Sequence, residues 1–235
     1  LLLLLGLTSL RLVAADRPLR VLMESSSPPF STLNAQGQPQ GFAVDLLKAA
    51  AADQKLNIEF ELRPWEQVYA DFQRGQGDIL GLVASSEERA QHMDFSLPFE
   101  KLLVGVYYPR HHRPIRRVED LQGLRVAVIK NAITHEFAAR QAWAATIRPY
   151  NSLAECLRAI ERGEVDACLG TQLVTDYLIH TLEFGDVVRS DLTFPELSYN
   201  LCYAVQPGNK ALLAKINEGL LNLRLSREHE VLHEK

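Results

Sequence analysis

Two stretches of this chain follow one plan. "RGQGDILG" (74–81) and "RGEVDACLG" (162–170) each close a helix on Arg-Gly, pass through an Asp and enter an apolar strand. The elements around them repeat in the same order, which predicts two similar α/β lobes. Such lobes leave a cleft between their strand ends, where ligands of open α/β sheets sit.

The periodicity supports that plan. "LRVLM" (19–23) predicts a short buried strand, and "FAVDLLKAAAADQ" (42–54) a helix rich in Ala and Leu. Ile58, Phe60 and Leu62 alternate with polar residues, the period of a half-buried strand. "WEQVYADFQRG" predicts a short helix, and "DILGLV" (78–83) a strand covered on both faces. In the second half "LRVAVIK" (124–130) predicts a buried strand, with a helix from about Thr134. Leu153, Cys156, Leu157 and Ile160 fall on one helix face, behind a Ser152/Glu155 capping box. The β-α-β-α rhythm predicts mainly parallel sheets flanked by helices.

With 235 residues and 47% hydrophobic content the chain can bury a sizeable core. Its net charge of −4 argues against a nucleic-acid partner, and the Pro-broken basic cluster "RHHRPIRR" (110–117) is expected to be a solvated loop. The opening "LLLLLGLTSLRLVAA" (1–15) has the length of a clipped signal-peptide core, too short to span a bilayer. It predicts export, with the mature chain beginning near Asp16. Cys156, Cys168 and Cys202 show no metal or disulfide spacing; they are expected as buried thiols, an exported compartment also permitting one bridge.

Longer stretches carry a resemblance. "SSSPPFSTLNAQGQPQGFAVDLLKAAA", "RGQGDILGLVASSEERAQHMDFSLPF", "DLQGLRVAVIKN" and "YNLCYAVQPGNKALLAKINEGLLNL" stand in the order of bacterial extracellular solute-binding proteins of family 3. The resemblance spans roughly residues 17–235. It implies a two-lobed type II periplasmic-binding-protein fold, the "Venus flytrap", joined by two crossover strands near 104–108 and 199–204. Lobe 1 is expected from 16–106 plus 200–235 and lobe 2 from 107–199.

The same resemblance implies the ligand contacts. Arg89 matches a carboxylate-binding arginine, whose planar fork can hold a carboxylate bidentately. Taken alone, Arg89 could equally be a surface charge paired with Glu87 or Glu88. Ser86 assists it, and Ala84 stands where a hydroxyl is common. Trp65 is either an aromatic wall or a core residue; Ser27 is a further candidate contact, and Phe30, after Pro28-Pro29, is either a second wall or hinge-side packing. Glu24 matches an acid that some members place facing the ligand side chain, which would favour a cation such as arginine; it could equally be a solvated strand-end acid. In the second lobe the family's Gly-Ser/Thr loop is replaced by "KNAITHE" (130–136). Asn131 and Thr134 remain as candidate contacts there, Thr134 also as a helix N-cap. Thr171 occupies the position of the Asp that binds an α-ammonium, with Gln172 or Asp176 as possible substitutes.

The function expected is therefore a periplasmic module that binds a small carboxylate-bearing solute, most simply an amino acid, and signals by lobe closure. Its partner would be an inner-membrane signalling component, with anchoring to the inner membrane beyond Lys235. The compact "SSEER" variant and the lost Asp resemble sensor-attached members. A free binding protein for an amino-acid ABC transporter is the alternative within the class, and a dehydratase-like enzyme on the same fold the alternative outside it. No cofactor or metal is expected: "HEVLH" (229–233) fits the zinc pattern HExxH but lacks a third ligand.

Overall fold

The computed structural model describes residues 17–143 and 145–234, so the expected export signal (1–15) lies outside the described residues. β1 (Leu19–Glu24) leads into a small antiparallel sheet of β2 (Ser26–Ser27), β3 (Ser31–Leu33) and β4 (Pro39–Gln40). Then come α1 (Phe42–Asp53), β5 (Ile58–Arg63), α2 (Trp65–Gln73), β6 (Ile79–Ala84), β7 (Asp94–Phe95) and β8 (Glu100–Leu102). The middle of the chain holds β9 (Val104–Pro109), β10 (Arg125–Ile129), α3 (Ile133–Arg140), β11 (Thr146–Tyr150) and α4 (Leu153–Glu161). β12 (Ala167–Thr171), α5 (Gln172–Thr181) and β13 (Val187–Thr193) complete that part; β14 (Tyr199–Val205), α6 (Lys210–Leu225) and α7 (Glu228–His233) follow.

These elements build two large sheets. The first runs β5-β1-β6-β14-β7, with β8 also on β14; the second runs β11-β10-β12-β9-β13. In each, the three strands of the β-α-β-α run are parallel, and the remaining strands join antiparallel. The chain passes from the first sheet to the second between Leu102 and Val104, and returns between Thr193 and Tyr199.

The repeated segment has a structural job in both halves. Gly75 (φ +76°) and Gly163 (φ +67°) take the left-handed conformation that ends α2 and α4. Their N–H groups donate to Phe72 O and Ile160 O, and those of Gln76 and Glu164 donate to Asp71 O and Ala159 O. Both are Schellman stops, which satisfy carbonyls a helix end would otherwise orphan. The Asp then clips the neighbouring strand: Arg20 N–H donates to Asp78 Oδ2 at 2.8 Å, and Arg125 N–H to Asp166 Oδ2 at 2.7 Å. Hydrogen bonding to Arg17 and Arg125 respectively holds both carboxyls below the usual carboxylate range. The clipped strands themselves open alike, Leu19-Arg20-Val21 against Leu124-Arg125-Val126.

Apolar side chains fill the space between these sheets and their helices. All six residues of β6 are buried, as a continuous apolar strand requires. On α4, Leu153, Cys156, Leu157 and Ile160 are buried on one face, and the Ser152 hydroxyl accepts the Glu155 N–H. The three cysteines are free and buried. Of the basic cluster, Ile115 is buried and the four arginines are exposed. No helix among the described residues is long and apolar enough to cross a membrane.

Candidate functional site

The ends of the parallel strands converge on one cleft. Glu24 ends β1, Ala84 ends β6, Ile129 ends β10 and Thr171 ends β12, so each half contributes two strand ends. Ser27, Trp65, Arg89 and Thr134 also line it, among walls made largely of Leu, Ile and Val.

The cleft holds an unneutralised acid. Glu24 is 8% exposed, and its Oε1 has no hydrogen-bond partner among the described residues. Burial penalises the charged form and pushes its pKa up to about 7. The hydroxyls opposite are engaged with each other, Thr171 Oγ1 lying 2.6 Å from Tyr199 Oη. Such a carboxylate is stabilised by a cation brought into the cleft.

Arg89 is no surface charge: it is 2% exposed. Neither Glu87 nor Glu88 pairs with it. Glu88 instead accepts from Arg140, and the partner of Arg89 is Glu136, on α3 of the opposite sheet. Nη2 and Nε of Arg89 donate to Glu136 Oε1 at 2.7 and 3.3 Å. Nη1 donates to Ala84 O and Nη2 to Asn131 O, both at 3.2 Å. The guanidinium also sits 5.3 Å from the Trp65 ring centre and 5.2 Å from that of Tyr69, within cation–π range.

The remaining candidates divide. Trp65 is both wall and core: it is buried, lines the cleft and donates from Nε1 to Asn131 O at 2.9 Å. Phe30 lies outside the cleft, buried against Phe42. Ser86 does not line the cleft; its hydroxyl accepts the Arg89 N–H and fixes the turn. Asn131 contributes its carbonyl to Trp65 and Arg89, with φ +57° turning that carbonyl toward the first sheet's elements. Thr134 is not the cap expected: α3 starts at Ile133 with Ala132 at its N-cap, and Thr134 is buried in the first turn. Asp176 is no substitute for the lost acid, because Tyr107 Oη and Arg189 hold it. Gln172 bonds Val104 O.

Three contributors escaped the sequence reading. Tyr69 follows Trp65 by four residues on α2, a spacing that places both rings on one helix face. Glu136 and Tyr199 carried no local signal, since their partners are 47 and 28 residues away. His229 and His233 of "HEVLH" pack edge-on against Phe42, and His233 lies 2.9 Å from Glu100. Among the described residues no three His, Cys, Asp or Glu side chains group as a metal site.

Comparison with known proteins places this geometry. Residues 19–235 match the family model for bacterial extracellular solute-binding proteins, family 3. A probable histidine-binding protein of Neisseria gonorrhoeae is 24% identical over 92% of this chain and 81% of its own length. A putative ABC transporter arginine-binding protein of Escherichia coli is 26% identical, over 97% of this chain and 93% of its own. The sensor domain of a histidine kinase with similarity to periplasmic binding proteins superposes with TM-score 0.88 at 27% identity, covering 93% of this chain and 95% of that domain. The two sheets are therefore the lobes of a type II periplasmic-binding-protein fold.

Proposed function

The chain belongs to the bacterial extracellular solute-binding proteins, family 3, and on that premise we propose that it is a periplasmic sensor domain that closes on a small cationic solute. The observation that carries the cation is Glu24, a buried carboxyl with no hydrogen-bond or ion-pair partner among the described residues, in a cleft walled largely by Leu, Ile and Val. The arginine- and histidine-binding relatives make amino acids the reference class, and the kinase sensor domain supports a signalling role over carriage to a transporter. A solute carboxylate that reaches Arg89 does so in exchange with Glu136. Closure then follows from differential affinity: only contacts made to both lobes favour the closed form.

A thermal-shift and calorimetric screen of basic amino acids and amines tests the reading. The expected result is binding by a cation that weakens at least tenfold in Glu24→Gln. Equal affinity in that variant would remove Glu24 from the site. Delivery to a transporter is the competing use; a membrane helix and signalling domain encoded beyond Lys235 supports the sensor, and a stop codon there supports the transporter.

A further inference from the structure

One negative and one positive side chain stand at the cleft, Glu24 at the end of β1 and Arg89 in the turn after β6, and among the described residues only Arg89 has a partner. Arg89 has five N–H groups. Two point at Glu136, at 2.7 and 3.3 Å, and the carbonyls of Ala84 and Asn131 take others. Trp65 and Tyr69 stand within cation–π range. No parallel pair of N–H groups is left, and a second carboxylate has no bidentate seat to occupy.

Glu136 comes from the first turn of α3, in the opposite lobe. It is one of several contacts along this seam. Lys130 pairs with Glu66, Arg140 with Glu88, and Trp65 donates to Asn131 O. A group held on a folded element acts at an effective concentration of roughly millimolar or more. A solute carboxylate at micromolar concentration is outcompeted about a thousandfold.

We propose that Glu136 is a resident carboxylate that fills the seat at Arg89 and so selects carboxylate-free monoamines over the matching amino acids. This rests on the cleft being a solute site with Glu24 as its anion. The charge count fits a monocation: with Arg89 paired to Glu136, Glu24 is the one unpaired charge in the lining among the described residues, and much of the wall is aliphatic. An amino acid would bring its own carboxylate into that apolar space with no free donor pair to receive it. The Thr171 hydroxyl is bonded to that of Tyr199 and carries no charge, so an ammonium in the cleft is directed to Glu24.

Matched pairs differing by one carboxylate test this: isoamylamine against leucine, phenethylamine against phenylalanine, and histamine against histidine, measured by calorimetry on the whole chain. In the wild-type protein at least one amine is expected to bind ten times or more tightly than its amino acid. Glu136→Gln, which keeps the shape, and Glu136→Ala should narrow or invert that ratio. Acetate or propionate should raise the melting temperature of Glu136→Ala and leave the wild type unmoved, a readout that loss of packing alone would not produce. A wild-type preference for the amino acids, a ratio unchanged in both variants, or no response to any amine would overturn the proposal. An amine preference that survives Glu24→Gln would instead overturn the assignment of Glu24, leaving Glu136 to be judged by the ratio alone.

Discussion

The two halves share a frame and differ at its tips. In each, a helix stops on Arg-Gly, an Asp follows, and that Asp clips the N–H of an arginine in the adjacent strand. Counting four residues on from the clipped arginine reaches the cleft: Glu24 in one half, Ile129 in the other. The same is true of the outer contacts, since one lobe presents Arg89 and the other sends Glu136 to meet it. What repeats is the part that stops helices and registers strands; what differs is the part that faces the cleft. A fold made twice needs its stability devices twice, whereas a site needs different groups on its two walls.

The sharpest test of that contrast is Glu24→Gln. A carboxyl whose folded pKa is raised holds its proton more tightly than it does in the unfolded chain. Its contribution is complete below the unfolded value of 4.5 and lost as pH rises through about 7. The wild-type chain should lose about 3 kcal/mol relative to the variant over that window. Urea unfolding at intervals from pH 4.5 to 8 measures it, and parallel curves would mean the strand tip carries no buried charge.

The shared frame is tested by a pair. Asp78→Asn and Asp166→Asn each weaken charge-assisted bonds to the neighbouring strand and should cost about 2 kcal/mol. Because both carboxyls are held below their usual range, each contribution should be present above the unfolded pKa near 3.8 and fade on acidification through the lower folded value. Losses that differ by more than about 1 kcal/mol between the two variants would break the equivalence of the halves. The smallest effect is expected at the helix stops. Gly75→Ala and Gly163→Ala place a Cβ in the left-handed region and should each cost about 1 kcal/mol, visible as similar drops in melting temperature.

Much of the architecture was legible because it is local. The Arg-Gly-Asp spacing, the apolar run of β6 and the one-sided face of α4 each depend on residues within a turn or a strand of one another. Arg89 and Glu24 were legible as candidates through the segments flanking them, and the Trp65–Tyr69 pair was there to be read at helical spacing. Thr134 was misplaced because the helix starts two residues earlier than its cap-forming chemistry suggested; Ala132 and Ile133 provide no competing side-chain signal.

The partner of Arg89 is another matter. Glu88, adjacent in sequence, offers the obvious carboxylate, yet it pairs with Arg140, and Glu136 reaches Arg89 across the seam. Local sequence set which backbone turns, stops and alternations were available, because those energies act between near neighbours. The pairing of charges across the cleft arose from how the two lobes meet, which brings together side chains 47 residues apart and buries Arg89 to 2% exposure, where a charge requires a partner.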